Sequence, residues 1–198
     1  MRTDKMPRMT AHAAIGGTSR AHRALALAKD TFDIEAAAVL GLKDRLGESF
    51  VQTVERILAI EGRVVVMGMG KSGHVGRKIA ATLASTGTPA FFVHPGEASH
   101  GDLGMVTGTD LVLMISNSGE SQEMAAILPV LKRLGAPLVA LTSNPESTMA
   151  RYADIWIDAG VAKEACPLNL APTASTTAQL AMGAVSYTHL RAHETRHD

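Results

Sequence analysis

The sequence contains a single cysteine, Cys166, among its 198 residues, so no disulfide can form within the chain. Such scarcity fits a reducing compartment. The sequence also lacks any apolar run near the roughly 18 residues that would span a bilayer, and its first residues lack the apolar block of a secretion signal. The stretch from Lys5 to Lys29 has no acidic residue, which is a feature of transit peptides. The interpretation we favour is an irregular, solvent-exposed N-terminal segment. These absences predict a cytoplasmic protein.

Neither sign of charge is in excess, since 19 Lys and Arg residues balance 19 Asp and Glu residues. A chain without a basic excess has no bulk attraction for nucleic acid or anionic lipid, and we expect neither nucleic acid nor a membrane as a partner. Hydrophobic residues make up 46% of the chain, an ordinary share for a globular protein. The length suits one domain.

Five short apolar runs, each with the length of a buried strand, follow two N-terminal helical segments. The helical segments cover residues 19–46 and the residues from Ser49 to Gly62, while residues 1–19 are expected to be disordered. The apolar runs are 63–67, 90–93, 111–115, 137–141 and 154–158. Helical patterns lie between the first four runs. The alternation predicts an α/β fold with a doubly wound, five-stranded parallel sheet flanked by helices.

The stretch VVVMGMGKSG, residues 64–73, places glycines at the end of the first predicted strand. A P-loop needs more residues before the GKS triplet, and the dinucleotide pattern lacks the acid that should end the next strand, where His94 stands. What remains is a helix N-terminus at which backbone N–H groups and Lys71 can bind an anion. Gly70 and Ser72 are candidate phosphate contacts. The alternative is a tight turn with a solvent-facing lysine.

A second polar cluster, in LMISNSGESQE, follows the third predicted strand and precedes a helix. Its hydroxyl and amide groups could form a phosphate cradle, and the candidate contacts are Ser116, Asn117, Ser118 and Ser121. The alternative is that these residues are only helix caps. Beside the glycine loop, phosphate binding is favoured. Neither loop suits a diphosphate, so we expect the ligand to be a small molecule that carries one phosphate group.

GMGKSG followed by SNSGES resembles the sugar isomerase (SIS) domain, a phosphosugar-binding α/β module. HPGEASHGDLGM and KEACPLNLAPTAST resemble a narrower family, the D-arabinose-5-phosphate isomerases of Gram-negative bacteria, over roughly residues 28–183. The resemblance implies interconversion of ribulose 5-phosphate and arabinose 5-phosphate, which feeds the Kdo sugar of lipopolysaccharide, and a homotetramer. In that family a pair of CBS domains usually follows, and the sequence does not extend to them.

The resemblance also implies roles for individual residues. Those that match catalytically relevant positions are Lys71, Glu123, Glu164 and His100. His100 also matches a substrate contact, as do Gly87 and Thr88, and His94 stands where the family can hold zinc. His94 and His100, with Glu97 between them, are weak evidence for a metal, and we expect any zinc to be incidental or inhibitory. A further catalytic histidine of the family lies in an SHPGG-like motif beyond this chain.

Aldose–ketose isomerisation moves a proton between adjacent carbons through an enediol. It needs a base, a donor to the developing oxyanion and an anchor for the phosphate. The candidate bases are Glu164, His100 and Glu123, and Lys71 could serve the oxyanion or the phosphate. The alternatives are that the helix dipole alone favours an acid at Glu123, in the first turn of its helix, and that Glu164 is simply solvated. No redox cofactor is required.

The sequence departs from the resemblance after Gly183, where AVSYTHLRAHETRHD replaces an apolar helix. His189, His193 and His197 would align on one face of a helix, as metal ligands would. The string resembles a tail that recurs on fragments from sequencing libraries, which favours an artefact. The predicted units are residues 1–19, a SIS domain over 20–183 and a non-family tail over 184–198. We expect the chain as written to be a poor or inactive isomerase.

Two other functions compete with an arabinose-5-phosphate isomerase. SIS domains also serve as phosphosugar sensors in transcription regulators, but residues 1–60 show no DNA-binding unit with a basic recognition helix. Another SIS isomerase, acting on a heptose or hexulose phosphate, is the third possibility. The KEACPLNLAPTAST stretch argues against it.

Overall fold

The computed structural model describes the backbone of residues 17–194 and the side chains of residues 20–186. The strands are β1 Val64–Gly68, β2 Ala90–Val93, β3 Leu111–Ile115, β4 Leu138–Thr142 and β5 Ile155–Asp158. They form one parallel sheet in the order β2-β1-β3-β4-β5. The predicted five-stranded parallel sheet is confirmed. β2 and β3 have their predicted bounds, and the other three strands begin one residue later than expected.

Helices lie on both faces of this sheet. They are α1 Gly17–Gly41, α2 Glu48–Ala59, α3 Gly70–Ser85, α4 Pro95–Ala98, α5 Gln122–Leu134, α6 Thr148–Tyr152 and α7 Ala174–Glu194. α4 and α6 were not predicted, because helices of one turn are too short to show a hydrophobic period. Between residues 17 and 194, no helix is long and apolar enough to cross a membrane.

Both N-terminal helix boundaries differ from the prediction. Residues 17–19, expected to be disordered, already belong to α1. α1 ends at Gly41 and the chain tightens into a 3₁₀ turn at Leu42–Arg45, so the single helix predicted over 19–46 is wrong in its last turn. Leu42 is buried there, which ties the turn to the core. The expected disorder of residues 1–16 lies outside the described residues.

α7 continues as a backbone helix to Glu194, well past Gly183, where the apolar register of the sequence was expected to fail. The packing of this last part depends on its side chains, and the side chains beyond residue 186 lie outside the described residues. The histidine stripe, against which the sequence favoured an artefactual tail, therefore stays untested. His189 and His193 fall within the backbone helix, and His197 lies beyond the last described residue.

Successive side chains of each buried strand point to opposite faces of the sheet, and they form two hydrophobic layers. Side chains such as Val64 and Val66 face α2, α3 and α7, whereas Val65 and Met67 face α4, α5 and α6. All four valine and methionine side chains of β1 are fully buried. A strand covered on both faces reads as a continuous apolar run, which is why the sequence located the strands so well.

α3 and α7 pack side by side in the same direction. Ser72 of α3 contacts Gln179 of α7, and Ile79, two turns further along α3, lies against Gly183, one turn further along α7. A Cβ atom on Gly183 would lie 2.7 Å from Ile79 Cγ1. The two helices therefore approach closely because position 183 carries no side chain, and both begin at the carboxyl edge of the sheet.

Asp110 fixes the amino edge of the sheet. Its carboxylate is buried and accepts hydrogen bonds from the Arg63 backbone N–H at 2.7 Å and from the Thr107 backbone N–H at 2.9 Å. The Thr107 hydroxyl donates a further bond at 3.0 Å. Burial by itself raises the pKa of Asp110, but the hydrogen bonds from Thr107 and Arg63 outweigh it and hold the pKa below its ordinary value.

Replacing Asp110 with asparagine should destabilise the fold by about 2 kcal/mol, because the new amide NH₂ faces backbone donors that then lack an acceptor. A lowered carboxyl pKa stabilises the fold above the unfolded-state pKa, and this contribution is lost as pH falls through the folded-state pKa. The difference in Tm between wild type and Asp110→Asn should therefore be large at pH 7 and narrow in acid. Asp30→Asn, on the exposed face of α1, is the matched control. Equal Tm values for wild type and Asp110→Asn at pH 7 would contradict this account.

Candidate active site

The order of the strands reverses between β1 and β3, and this is where parallel α/β sheets leave a crevice beyond the carboxyl ends of their strands. β1 and β3 are direct neighbours, with Gly68 opposite Ile115. The glycine loop, residues 68–73, follows β1, and the serine loop, residues 116–121, follows β3. The two predicted phosphate loops therefore flank one crevice.

Close backbone contacts shape the glycine loop. Gly70 has a φ of +51°, in the left-handed region that favours glycine. A Cβ atom on Gly73 would lie 2.7 Å from the carbonyl oxygen of Gly68, so position 73 has no room for a side chain. α3 starts within this loop, and its first backbone N–H groups lie at the positive end of the helix dipole. Lys71 is exposed in the same turn.

Ser72 forms a long-range contact that the sequence did not reveal. Its hydroxyl donates a hydrogen bond at 3.0 Å to Oε1 of Gln179, which is buried in α7. The hydroxyl proton of Ser72 is therefore directed toward α7 rather than toward the crevice, and its predicted role as a phosphate donor would require that bond to reorganise. Two residues 107 positions apart carry no local signal of such a contact.

The serine loop orients two hydroxyl groups. Ser116 Oγ accepts a hydrogen bond from the Gly119 N–H at 3.1 Å, and Ser118 Oγ accepts one from the Glu120 N–H at 3.3 Å. Each serine is thus held through its oxygen lone pairs, and its hydroxyl proton can be donated to a ligand. The Asn117 side chain is exposed. Its backbone carbonyl oxygen accepts hydrogen bonds from Thr142 Oγ1 at 3.0 Å and from Ser143 Oγ at 2.7 Å, which anchor the loop to the end of β4.

Ser121 and Glu123 are occupied with each other at the start of α5. Ser121 Oγ accepts a hydrogen bond from the Met124 N–H as the helix N-cap and donates to Glu123 Oε2 at 2.8 Å. The cap alternative weighed for this cluster thus describes Ser121. The backbone N–H of Glu123 and the Ser121 hydroxyl, with help from the charge of His94, lower the pKa of the exposed Glu123 carboxyl.

His94 and His100 lie on the connection from β2 to β3. His94 directly follows β2, and its Nδ1 accepts a hydrogen bond from the Gly96 N–H at 3.2 Å as the N-cap of α4. His100 is exposed in the turn that follows α4. Among the described side chains, no group of three or more His, Cys, Asp or Glu residues comes close enough to hold a metal ion. Zinc at His94 remains a prediction.

Gly87 and Thr88 are not brought to this crevice. They follow the C-terminus of α3, which has carried the chain back to the amino edge of the sheet. The neighbouring Pro89 carbonyl accepts a hydrogen bond from the N–H of Val64, the first residue of β1. This turn therefore lies at the edge of the sheet opposite the crevice of the same chain, and the substrate contact at Gly87 and Thr88 stays a prediction.

Glu164 lies between β5 and α7, at the same edge of the sheet as the crevice. It is half-buried, and its Oε2 accepts a hydrogen bond from the N–H of Thr173, just before α7, at 2.8 Å. Of the predicted catalytic residues, the structure places Lys71 in the glycine loop, Glu123 in the first turn of α5, His100 on the β2–β3 connection, and Glu164 in the loop that precedes α7.

The chain is similar to characterised proteins over most of its length. Residues 57–189 match the SIS domain. The chain is 60% identical over 156 residues to the arabinose 5-phosphate isomerase KdsD of Pseudomonas aeruginosa, covering 79% of this chain and 48% of that protein. It is 60% identical over 155 residues to KdsD of Escherichia coli K12, covering 78% of this chain and 47% of that protein. The chain thus spans about half the length of the curated relatives it matches.

A solved structure covers nearly all of the fold. The Escherichia coli CFT073 protein c3406, in complex with arabinose 5-phosphate, superposes with a TM-score of 0.84 at 40% sequence identity, covering 91% of this chain and 94% of that one. The matched region of the SIS domain contains both crevice loops and every strand of the sheet. The resemblance inferred from the loop motifs is therefore confirmed, and this chain belongs to the SIS domain family.

Proposed function

We propose that this chain is the isomerase domain of an arabinose-5-phosphate isomerase. It interconverts D-ribulose 5-phosphate and D-arabinose 5-phosphate through an enediol intermediate, as a step in supplying the Kdo sugar of lipopolysaccharide. The observation that carries the proposal is the convergence of the glycine loop and the serine loop on one crevice. The 60% identity to KdsD proteins and the likeness to a protein solved with arabinose 5-phosphate support the substrate.

The phosphate is anchored by the two loops together. The first N–H groups of α3 and the Lys71 ammonium supply positive potential, and Ser116 and Ser118 supply hydroxyl protons that their own loop leaves available. The sugar carbons then extend toward the β2–β3 connection and the start of α7, where the candidates for proton transfer lie.

Proton transfer needs a group that can take a proton from one carbon and return it to the next. Glu123 is a weaker candidate than the sequence suggested, because its Oε2 accepts a hydrogen bond from the Ser121 hydroxyl at 2.8 Å, which also helps to hold its pKa below the ordinary value. We propose His100 for this step, since its side chain is exposed on the β2–β3 connection and an imidazole can accept a proton and then return it. Lys71 is placed to stabilise the developing oxyanion or the phosphate.

The remaining features of the proposal follow from the reaction and the relatives. Moving a proton between adjacent carbons requires no redox cofactor, and we assign none; zinc at His94 would be incidental or inhibitory. We propose a cytoplasmic homotetramer whose partner is a small sugar phosphate. A non-catalytic phosphosugar sensor is the competing function, and the identity to KdsD proteins favours the isomerase.

Changing both Ser116 and Ser118 to alanine should weaken arabinose 5-phosphate binding at least about tenfold, because hydrogen bonds to a charged phosphate are worth about 1.5 to 3 kcal/mol each. Calorimetry with arabinose 5-phosphate and with inorganic phosphate measures the loss. Ser85→Ala, at the far end of α3, is the matched control and should bind normally. Unchanged affinity in a folded double variant would exclude the serine loop as the phosphate anchor.

His100→Gln should lower kcat by about 10² to 10⁴ while changing arabinose 5-phosphate affinity far less, because general acid–base catalysis contributes about that factor. Turnover of ribulose 5-phosphate is the measurement, and His22→Gln on α1 is the control. A normal kcat in His100→Gln would remove His100 from the proton-transfer step.

A further inference from the structure

The Glu164 carboxylate serves as the N-terminal cap of α7. Its Oε2 accepts hydrogen bonds from the Thr173 N–H at 2.8 Å, from the Thr173 hydroxyl at 2.9 Å and from the Ser175 N–H at 3.2 Å. Thr173 directly precedes α7 and Ser175 lies in its first turn. The carboxylate therefore satisfies N–H groups that a helix start leaves unpaired, and its negative charge lies at the positive end of the dipole.

The loop between Glu164 and Thr173 is closed by its own hydrogen bonds. The Glu164 N–H donates to Asn169 Oδ1 at 2.8 Å, and the Ala165 N–H donates to the Thr173 hydroxyl oxygen at 2.8 Å. The Asn169 N–H donates to the Cys166 carbonyl at 2.8 Å. With both of its ends tied together, the loop fixes where α7 begins.

The start of α7 is linked to the glycine loop through one buried side chain. Gln179 is 1% exposed and lies one turn beyond Ser175, and its Oε1 accepts the Ser72 hydroxyl proton at 3.0 Å. α7 also packs tightly on α3 at Gly183. A displacement of the first turn of α7 would therefore move the hydrogen-bond partner of Ser72 within the predicted phosphate loop.

We propose that Glu164 is a positioning residue, which holds α7 and, through Gln179, the Ser72 side of the glycine loop, and that it is not the base of the reaction. The inference rests on the proposed isomerase function. A base must present a lone pair to a substrate C–H bond. Three donors hold Glu164 Oε2 against the start of α7, so the carboxylate is fixed to the helix and only Oε1 receives none of these donors.

Electrostatics agree with this geometry. Burial alone would raise the pKa of Glu164, but hydrogen bonds from Ser175 and Thr173 outweigh it and hold the pKa below its ordinary value. Ser175 Oγ is buried near this carboxylate and has no hydrogen-bond partner of good geometry among the described residues. A carboxylate stabilised in its ionised form is a weaker proton acceptor at neutral pH.

Glutamine and alanine at position 164 separate the two roles. Glutamine keeps a carbonyl oxygen where Oε2 lies, so Glu164→Gln should retain arabinose 5-phosphate affinity within about threefold and kcat within about tenfold of wild type. Glu164→Ala removes the cap, and should lower Tm by about 2 to 4 °C and weaken arabinose 5-phosphate binding about tenfold. Binding by calorimetry, Tm and ribulose 5-phosphate turnover are measured at a temperature at which every variant is folded.

A double-mutant cycle tests whether Glu164 acts through Gln179. Gln179→Met should weaken arabinose 5-phosphate binding without removing the cap, and the Glu164→Ala, Gln179→Met double variant should bind no more weakly than the weaker single variant. Asp154→Asn is the matched control, since Asp154 Oδ2 accepts the Leu138 N–H at 2.8 Å at the opposite edge of the sheet. It should bind arabinose 5-phosphate normally.

Three results would overturn the inference. A Glu164→Gln variant with normal affinity and a kcat lower by about 10² to 10⁴ would make Glu164 the base. Normal arabinose 5-phosphate affinity in folded Glu164→Ala, or strictly additive losses in the cycle, would remove the link to the glycine loop. If wild type binds no arabinose 5-phosphate, the proposed function fails. In that case equal Tm values for Glu164→Ala and Glu164→Gln would also refute the cap, whereas a lower Tm for Glu164→Ala would uphold it.

Discussion

β2 lies on one side of β1, and β3, β4 and β5 lie on the other. The position of every candidate ligand-binding group depends on this reversal of strand order. β2 pairs with one edge of β1 and β3 with the other, so the connections that leave β1 and β3 run to opposite faces of the sheet. Between them the carboxyl edge is left uncovered. Because α3 and α5 each begin at this edge, two helix N-termini point toward the same space, which favours an anion before any side chain is considered.

Within that space the hydroxyl groups are not equivalent, although the sequence presents them as one cluster. Ser116 and Ser118 accept hydrogen bonds from backbone N–H groups, so their hydroxyl protons stay available. Ser121 instead donates a hydrogen bond to a carboxylate, and Ser72 donates one to a side-chain amide. Candidate donors for a phosphate and supports for the scaffold are thus interleaved within a few residues. The direction of each hydrogen bond, rather than the type of residue, distinguishes them.

The sequence predicted the sheet well because its strands are buried on both faces and therefore appear as unbroken apolar runs. It also placed the two loops of the crevice correctly, since loops after neighbouring parallel strands must meet. It failed where no period or motif exists: the one-turn helices α4 and α6, the edge on which Gly87 lies, and the pairing of Ser72 with Gln179. The contacts of Glu164 belong to the same class, because a cap formed by a residue nine positions upstream has no sequence signature.

The missing side chain at position 183 has a consequence beyond packing. Gly183 lets α7 lie directly on α3, and one turn away on the same helix Gln179 holds a hydroxyl of the glycine loop. A larger residue at 183 would push the helices apart and carry that amide with it. A substitution at position 183 would therefore disturb the packing of the core and the glycine loop together, although Gly183 lies outside that loop.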